Sequence, residues 1–255
     1  MPAEAHLFRC LNDNYGVLIH DPATGATAAI DAPEAAPVEA ALAKKDWKLT
    51  DILVTHHHGD HTGGIAELKK KHNCRVVAPK AEAGKIPLVD ETVSEGSKVS
   101  VGKLTANVIE TPGHTAGHIT YWFHGDKIAF AGDTLFSIGC GRVIEGTPEM
   151  MWASLAKLRD LPGDTRVYCG HEYTLANIKF AQTIEPDNRA LAARAKQAAD
   201  QIAAGKPTIP TTIDEEKAEN PFLRADVPAV AASVGLAGKS PAQVFAEVRA
   251  RKNKF

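Results

Sequence analysis

Ten consecutive residues restrict this chain more than any other feature: Thr55-His56-His57-His58-Gly59-Asp60-His61-Thr62-Gly63-Gly64. Four are histidines and one is a carboxylate. The run before them, Asp51-Ile52-Leu53-Val54, is short, β-branched and apolar, which predicts a buried strand. The run after them, Ile65-Ala66-Glu67-Leu68-Lys69-Lys70, resumes at helical spacing. The histidines are therefore expected on a strand-to-helix loop, where α/β folds usually display their chemistry. In an extended segment residues two apart share a face, so His56 and His58 can grip one ion. Asp60 and His61 follow at once, and a loop can turn this adjacent pair toward a second ion. Imidazole nitrogen with carboxylate oxygen suits zinc, iron or manganese, and no cysteine is needed. A fortuitous tag-like run is the poorer account, because a tag does not alternate with Asp and Gly between a strand and a helix. The stretch reads as a metal site.

The flanking sequence supplies the scaffold. Tyr15–His20 and Ala26–Asp31 flank the turn Asp21-Pro22-Ala23-Thr24-Gly25, a hairpin pattern. A helix is expected over 37–45 with Pro in its first turn, and another from Ile65 to about Lys71. Strands are expected at 74–78, 97–101, 104–110, 119–123 and 127–130. Thr147-Pro148 caps a helix running to about Arg159, and 165–169 reads as the last strand. From Tyr173 onward only helical patterns are visible, at 174–185, 187–204 and about 241–251. Strands with helices first and helices alone afterwards imply two domains, 1–172 and 173–255.

Composition removes several functions. The 255 residues carry a formal charge of −2, so nothing marks the surface for nucleic acid. No apolar run approaches the ~20 residues of a membrane span. Met1–His6 lacks a basic start and an apolar core, so no export signal is expected. Cys10, Cys74, Cys140 and Cys169 show no paired spacing, and reduced thiols in the cytoplasm are the default. Monomer is the default for oligomeric state.

Three further stretches end predicted strands with a potential ligand: Pro112-Gly113-His114-Thr115-Ala116-Gly117-His118, Gly132-Asp133-Thr134 and Gly170-His171-Glu172. Alone, each is more often a cap or a hydrogen-bonded structural residue. In order behind the histidine loop, they resemble the metallo-β-lactamase superfamily and, within it, the glyoxalase II family. Asp13-Asn14-Tyr15, Gly139-Cys140-Gly141-Arg142, Glu145-Gly146-Thr147 and Asn220-Pro221-Phe222-Leu223-Arg224 carry the closer resemblance.

The resemblance implies an αββα sandwich of the α/β class followed by a small all-helical C-terminal domain. It implies two divalent metal ions (Zn, Fe or Mn). One is taken by His56, His58 and His114, the other by Asp60, His61 and His171, with Asp133 bridging. Asp60 and Asp133 are the carboxylates assigned to catalysis. A hydroxide bridging the pair would attack a thioester carbonyl and expel a thiolate. The implied substrate is an S-(2-hydroxyacyl)glutathione, S-D-lactoylglutathione above all, in the second step of methylglyoxal detoxification. Arg142, Tyr173, Arg249 and Lys252 match the thiol-binding positions, which suits the two carboxylates of glutathione. Taken without the resemblance, Arg249–Lys254 reads rather as a solvated basic helix end. Ile144 departs from the family, which often has an aromatic residue there. His57 is expected to be structural, His118 either to orient a ligand or to pack in a turn, and His6, His20, His72 and His124 to be ordinary surface or turn residues.

A lactonase or β-lactamase shares the histidine motif but is not expected to carry the helical segment with Arg249 and Lys252. A mononuclear persulfide dioxygenase would leave Asp60 and His171 without their roles, and a nuclease conflicts with the charge. A purely structural metal site would usually be closed, whereas this ligand set leaves room for water.

Overall fold

A computed structural model describes all 255 residues. The chain divides into two compact units, the first comprising 1–110 with 116–132 and the second 111–115 with 133–255.

The first unit is built on two sheets. Six strands form one of them in the order β1 to β6: Glu4–Cys10, Asn14–His20, Thr27–Ile30, Asp51–Leu53, Arg75–Pro79 and Glu91–Val93. β1, β2 and β3 pair antiparallel, and β3 to β6 run parallel. Parallel neighbours need crossovers, and helices provide them. α1 (Ala35–Lys45) joins β3 to β4, and α2 (Gly59–Thr62) with α3 (Ile65–His72) joins β4 to β5. Val38 and Leu42 of α1 and Leu68 of α3 bury their side chains against Leu18, Ile52 and Val76, which is why the parallel strands read as continuous apolar runs. β7 (Lys98–Val101), β8 (Leu104–Glu110), β9 (Ile119–Phe123) and β10 (Ile128–Gly132) make an antiparallel meander. Tyr121 of β9, fully buried, donates its hydroxyl to the Val54 carbonyl after β4 and so fastens the two sheets.

The second unit begins with a hairpin of β11 (Leu135–Phe136) and β12 (Gly139–Cys140), then α4 (Pro148–Arg159). Thr147 caps α4 by accepting from the Met150 N–H. β13 (Arg166–Cys169) pairs antiparallel with β14 (Thr211–Thr212). The helices α5 (Thr174–Ile184), α6 (Arg189–Ala203), α7 (Ile213–Glu219), α8 (Pro228–Ser233) and α9 (Pro241–Lys254) complete it.

The expected hairpin, helices and strands are present within a few residues. Several features depart from the sequence reading, among them α7 and α8, short helices outside the three helical stretches expected after Tyr173. β1, β6 and the β11–β12 hairpin carry patterns too short or too mixed to stand out. The strand at 166–169 is not the last, because β14 lies inside the segment read as purely helical. His20 is not a surface residue: it is buried, bonded to Thr27 Oγ1 at 2.8 Å and stacked on Trp47.

Candidate metal centre

In the first unit the histidine loop leaves the carboxyl end of β4 and opens α2. Its protons can be assigned from its partners. Asp31, at the end of β3 with φ of +56°, is buried, and its carboxylate accepts from the Thr55 N–H at 2.7 Å and the Thr55 hydroxyl at 2.8 Å. Because the Thr55 hydroxyl has given its proton to Asp31, it can only accept from His56 Nδ1, 3.0 Å away. Asp31 also faces His61 Nδ1 at 2.8 Å. Both imidazoles are thus held with the proton on Nδ1, leaving the Nε2 lone pair for a metal ion. His56 Nε2 lies 3.2 Å from His58 Nδ1, so two ring nitrogens converge. Asp60 Oδ2 is 3.7 Å from His61 Nε2, and the Asn14 amide donates to both the carbonyl and Oδ2 of Asp60 at 3.1 Å. His57 turns to Glu82, and the His118 ring is buried with its centroid 4.9 Å from that of His56.

Gly132 ends β10 with φ of +46°, and a Cβ there would fall 2.6 Å from Thr55 Oγ1 and 2.7 Å from His118 Nε2. Glycine is therefore required where the backbone passes behind the loop.

In the second unit Asp133, His114 and His171 come together. Asp133 Oδ2 lies 3.4 Å from His114 Nε2 and 3.3 Å from His171 Nε2. His114 Nδ1 faces the Arg142 carbonyl at 2.8 Å, an acceptor only, so this ring too carries its proton on Nδ1 and presents Nε2. The His171 ring stacks on Tyr173 at 4.8 Å. Beside them is a cavity of about 400 Å³. His114, Asp133, Arg142, Tyr173, Arg249 and Lys252 are on its wall, with Ile144 and Cys140.

Arg249 is no solvated helix end. It is only 8% exposed, donates to the Cys140 carbonyl at 3.0 Å and lies over the Phe222 ring. Lys252 donates to the Ala176 carbonyl, and burial, reinforced by the Arg249 charge, lowers its pKa. Arg142 and Ile144 are exposed. Burial pushes the Cys140 thiol up to about 11 and the Cys169 thiol to about 12. Both therefore stay protonated near neutral pH and bring no thiolate to the donor set.

Sequence reasoning named these candidate ligands but missed Asp31, which faces Thr55 and His61, and Glu82, which holds His57. Asp31 stands at the end of a predicted strand with no ligand spacing around it, and Glu82 lies in no motif. Asn14 belonged to a stretch quoted only for its resemblance; its amide holds Asp60.

The α/β fold with a histidine loop at a strand's carboxyl end matches a family model: residues 6–171 match the metallo-β-lactamase superfamily. The solved structure of ETHE1 from Myxococcus xanthus is 28% identical, covers 99% of this chain and 92% of its own, and superposes with a TM-score of 0.70. That of TTHA1623 in a di-iron-bound form is 26% identical, with a TM-score of 0.57 over 66% of this chain and 91% of its own. Residues 172–255 match the hydroxyacylglutathione hydrolase C-terminus. A protein named hydroxyacylglutathione hydrolase from Rhodopseudomonas palustris (strain BisA53) is 67% identical over 100% of both chains. One of the same name from Nitrobacter hamburgensis is 63% identical, also over 100% of both. The chain belongs to the hydroxyacylglutathione hydrolase family, the glyoxalase II thioester hydrolases, which use two divalent metal ions.

Proposed function

We propose that this enzyme hydrolyses S-(2-hydroxyacyl)glutathione thioesters, turning S-D-lactoylglutathione into D-lactate and glutathione in the second step of methylglyoxal detoxification. The observation that carries the reading is the full-length identity to proteins of that name. The cavity beside Asp133 adds support, since its cationic wall suits an anionic peptide thiol.

The donor set fits divalent ions. His56, His61 and His114 each present an Nε2 lone pair fixed by a partner at Nδ1, and the remaining donors are imidazole or carboxylate. In this proposal His56, His58 and His114 hold one ion and Asp60, His61 and His171 the other, with Asp133 shared. Ions bound there would activate water at neutral pH and stabilise the charge that develops on the thioester oxygen.

The protein's own part is orientation. Asp31 keeps the His56 and His61 protons away from the ions, and Asn14 fixes the Asp60 carboxylate. Arg249 and Lys252 face the carboxylates of the thiol portion, and Arg142 and Tyr173 line the approach. Water adds to the carbonyl carbon as hydroxide, its proton passing to solvent; the C–S bond then breaks and the thiolate leaves with its electron pair. Since a thiolate is a good leaving group, no protein acid has to protonate it. In the domain reading, 1–172 carries the chemistry and 173–255 the recognition.

The four buried free thiols fit a reducing compartment, and the enzyme is read as a cytoplasmic monomer acting on a small molecule rather than nucleic acid. No helix is long and apolar enough to cross a membrane.

The test is hydrolysis of S-D-lactoylglutathione, followed by loss of thioester absorbance, with metal content determined on the same sample. Turnover with about two ions per chain is expected. A loaded centre without turnover would reject glutathione as the thiol, and Ile144 would direct the search to other thioesters.

A further inference from the structure

Glu82 lies between β5 and the short 3-10 turn Ala83–Lys85 and is 2% exposed. Its Oε2 accepts from the main-chain N–H and from Nδ1 of His57, both at 2.8 Å. Its Oε1 accepts from the Gly117 N–H, also at 2.8 Å. One buried carboxylate thus takes three N–H donors from two loops. A Cβ at Gly117 would fall 2.7 Å from the Ala81 Cβ and 2.7 Å from the Glu82 Cγ, so only glycine allows this approach.

The position of His57 gives the contact its consequence. In an extended segment the middle residue points away from its two neighbours. Holding His57 by main chain and ring together therefore sets the direction that His56 and His58 face. Those two rings converge, with His56 Nε2 3.2 Å from His58 Nδ1. The other tethered residue, Gly117, precedes His118, whose ring lies against that of His56.

We infer that Glu82 is a positioning residue for the metal centre: by gripping His57 and Gly117 it presents His56 and His58 as a preset pair of ion ligands. The inference rests on the ligand assignment proposed above. It explains why a central residue of the histidine run is itself withheld from the ligand set, its Nδ1 proton being committed to Glu82. It also explains the residue type. Three donors converge on the side chain, so it must be acceptor-only. Glutamine would turn an NH2 toward one of the N–H groups, and alanine would leave all three without their acceptor.

The test uses the full chain as wild type, Glu82→Gln and Glu82→Ala. Ion content is determined first, then retention of zinc against a competing chelator. kcat and KM for the thioester at saturating zinc, and thermal unfolding of the metal-free forms, are measured alongside. Both variants are expected to hold zinc on the order of 10–100-fold less tightly. KM should stay within about twofold, because the thiol-binding groups are untouched. His57→Ala, which leaves the main-chain N–H to Glu82, should lose less than Glu82→Ala. Should Glu82→Ala fail to fold, Glu82→Gln, of the same shape, decides alone. An unmoved chelator midpoint in Glu82→Gln overturns the inference, including when its metal-free form melts earlier, since that marks a role in folding only. A wild type that holds no ions overturns the ligand assignment instead.

Discussion

The histidine loop of the first unit and the segments of the second that carry candidate ligands orient their imidazoles by different means. In the loop, four imidazoles stand within six residues. Crowded rings need their protons sorted, and two carboxylates from other elements, Asp31 and Glu82, do the sorting. In the second unit the candidate ligands are far apart in sequence, at 114, 133 and 171. A main-chain carbonyl orients His114, and a stacked tyrosine faces His171. The difference is one of linkage. The loop's supports are dedicated to the imidazoles, whereas those of the second unit also line the cavity proposed to take the substrate. The Arg142 carbonyl holds His114 while its side chain lines the cavity, and Tyr173 supports His171 from the same wall. The β11–β12 hairpin lies in the chain between Asp133 and Arg142, and Arg249 donates to its end at Cys140. Changes in the loop should therefore act on ions, and changes in the second unit on ions and substrate together.

The largest effect is expected at Asp133. Asp133→Asn removes the shared negative charge facing His114 and His171, so turnover should be abolished and ion loading should fall below two per chain. Wild-type rate with full loading in that variant would break the ligand assignment. A smaller effect, and one that sharpens the comparison, is expected at Arg249. Arg249→Ala should raise KM for an anionic thioester roughly 10–100-fold, the worth of a charge-assisted hydrogen bond, with a lesser change in kcat. Because Arg249 also braces Cys140, Arg249→Lys should recover part of the KM but not the contact to the Cys140 carbonyl. An unchanged KM in the alanine variant would remove α9 from recognition.

What was legible in the sequence follows from how local each feature is. The run from His56 to His61 announces itself because its donors are neighbours in the chain, and β4 and α3 frame it with short, regular patterns. Asp133 and His171 could be suspected because each ends a predicted strand. Asp31 and Glu82 could not, because their meaning depends on which loop the fold brings against them. Arg249 shows the opposite failure. Read by itself it belongs to a charged helix end, and only packing over Phe222 and the bond to Cys140 reveal it as buried. The β11–β12 hairpin escaped notice since two-residue strands have no periodicity to read.

The smallest effect on turnover is expected beneath that hairpin, and it should appear as stability instead. Glu216 of α7 is fully buried; its Oε2 accepts from the Ile138 N–H at 2.9 Å and from the Asn220 amide at 2.8 Å, and Asn220 also donates to the Gly139 carbonyl. Ile138 has φ of +56°, a conformation costly for a β-branched residue, so this bond holds a strained turn. Burial pushes the Glu216 carboxyl from 4.5 up to about 7. An acid with a raised folded-state pKa keeps a proton that the unfolded chain has released. Its contribution is therefore present below about 4.5, is lost as the pH climbs toward 7, and changes little above that. Glu219, also pushed up to about 7 by burial, acts with the same sign. Urea unfolding of the metal-free protein should show stability falling between pH 5 and 7.5, with Glu216 responsible for something on the order of 1–3 kcal/mol. Glu216→Gln keeps an acceptor for Ile138 and has no proton to lose. Its curve should be flatter and should cross above wild type near neutral pH, with kcat and KM close to wild type. Parallel curves for the two proteins would show that the carboxyl does not titrate in this range, and the brace under the hairpin would then have to be held by the charged form.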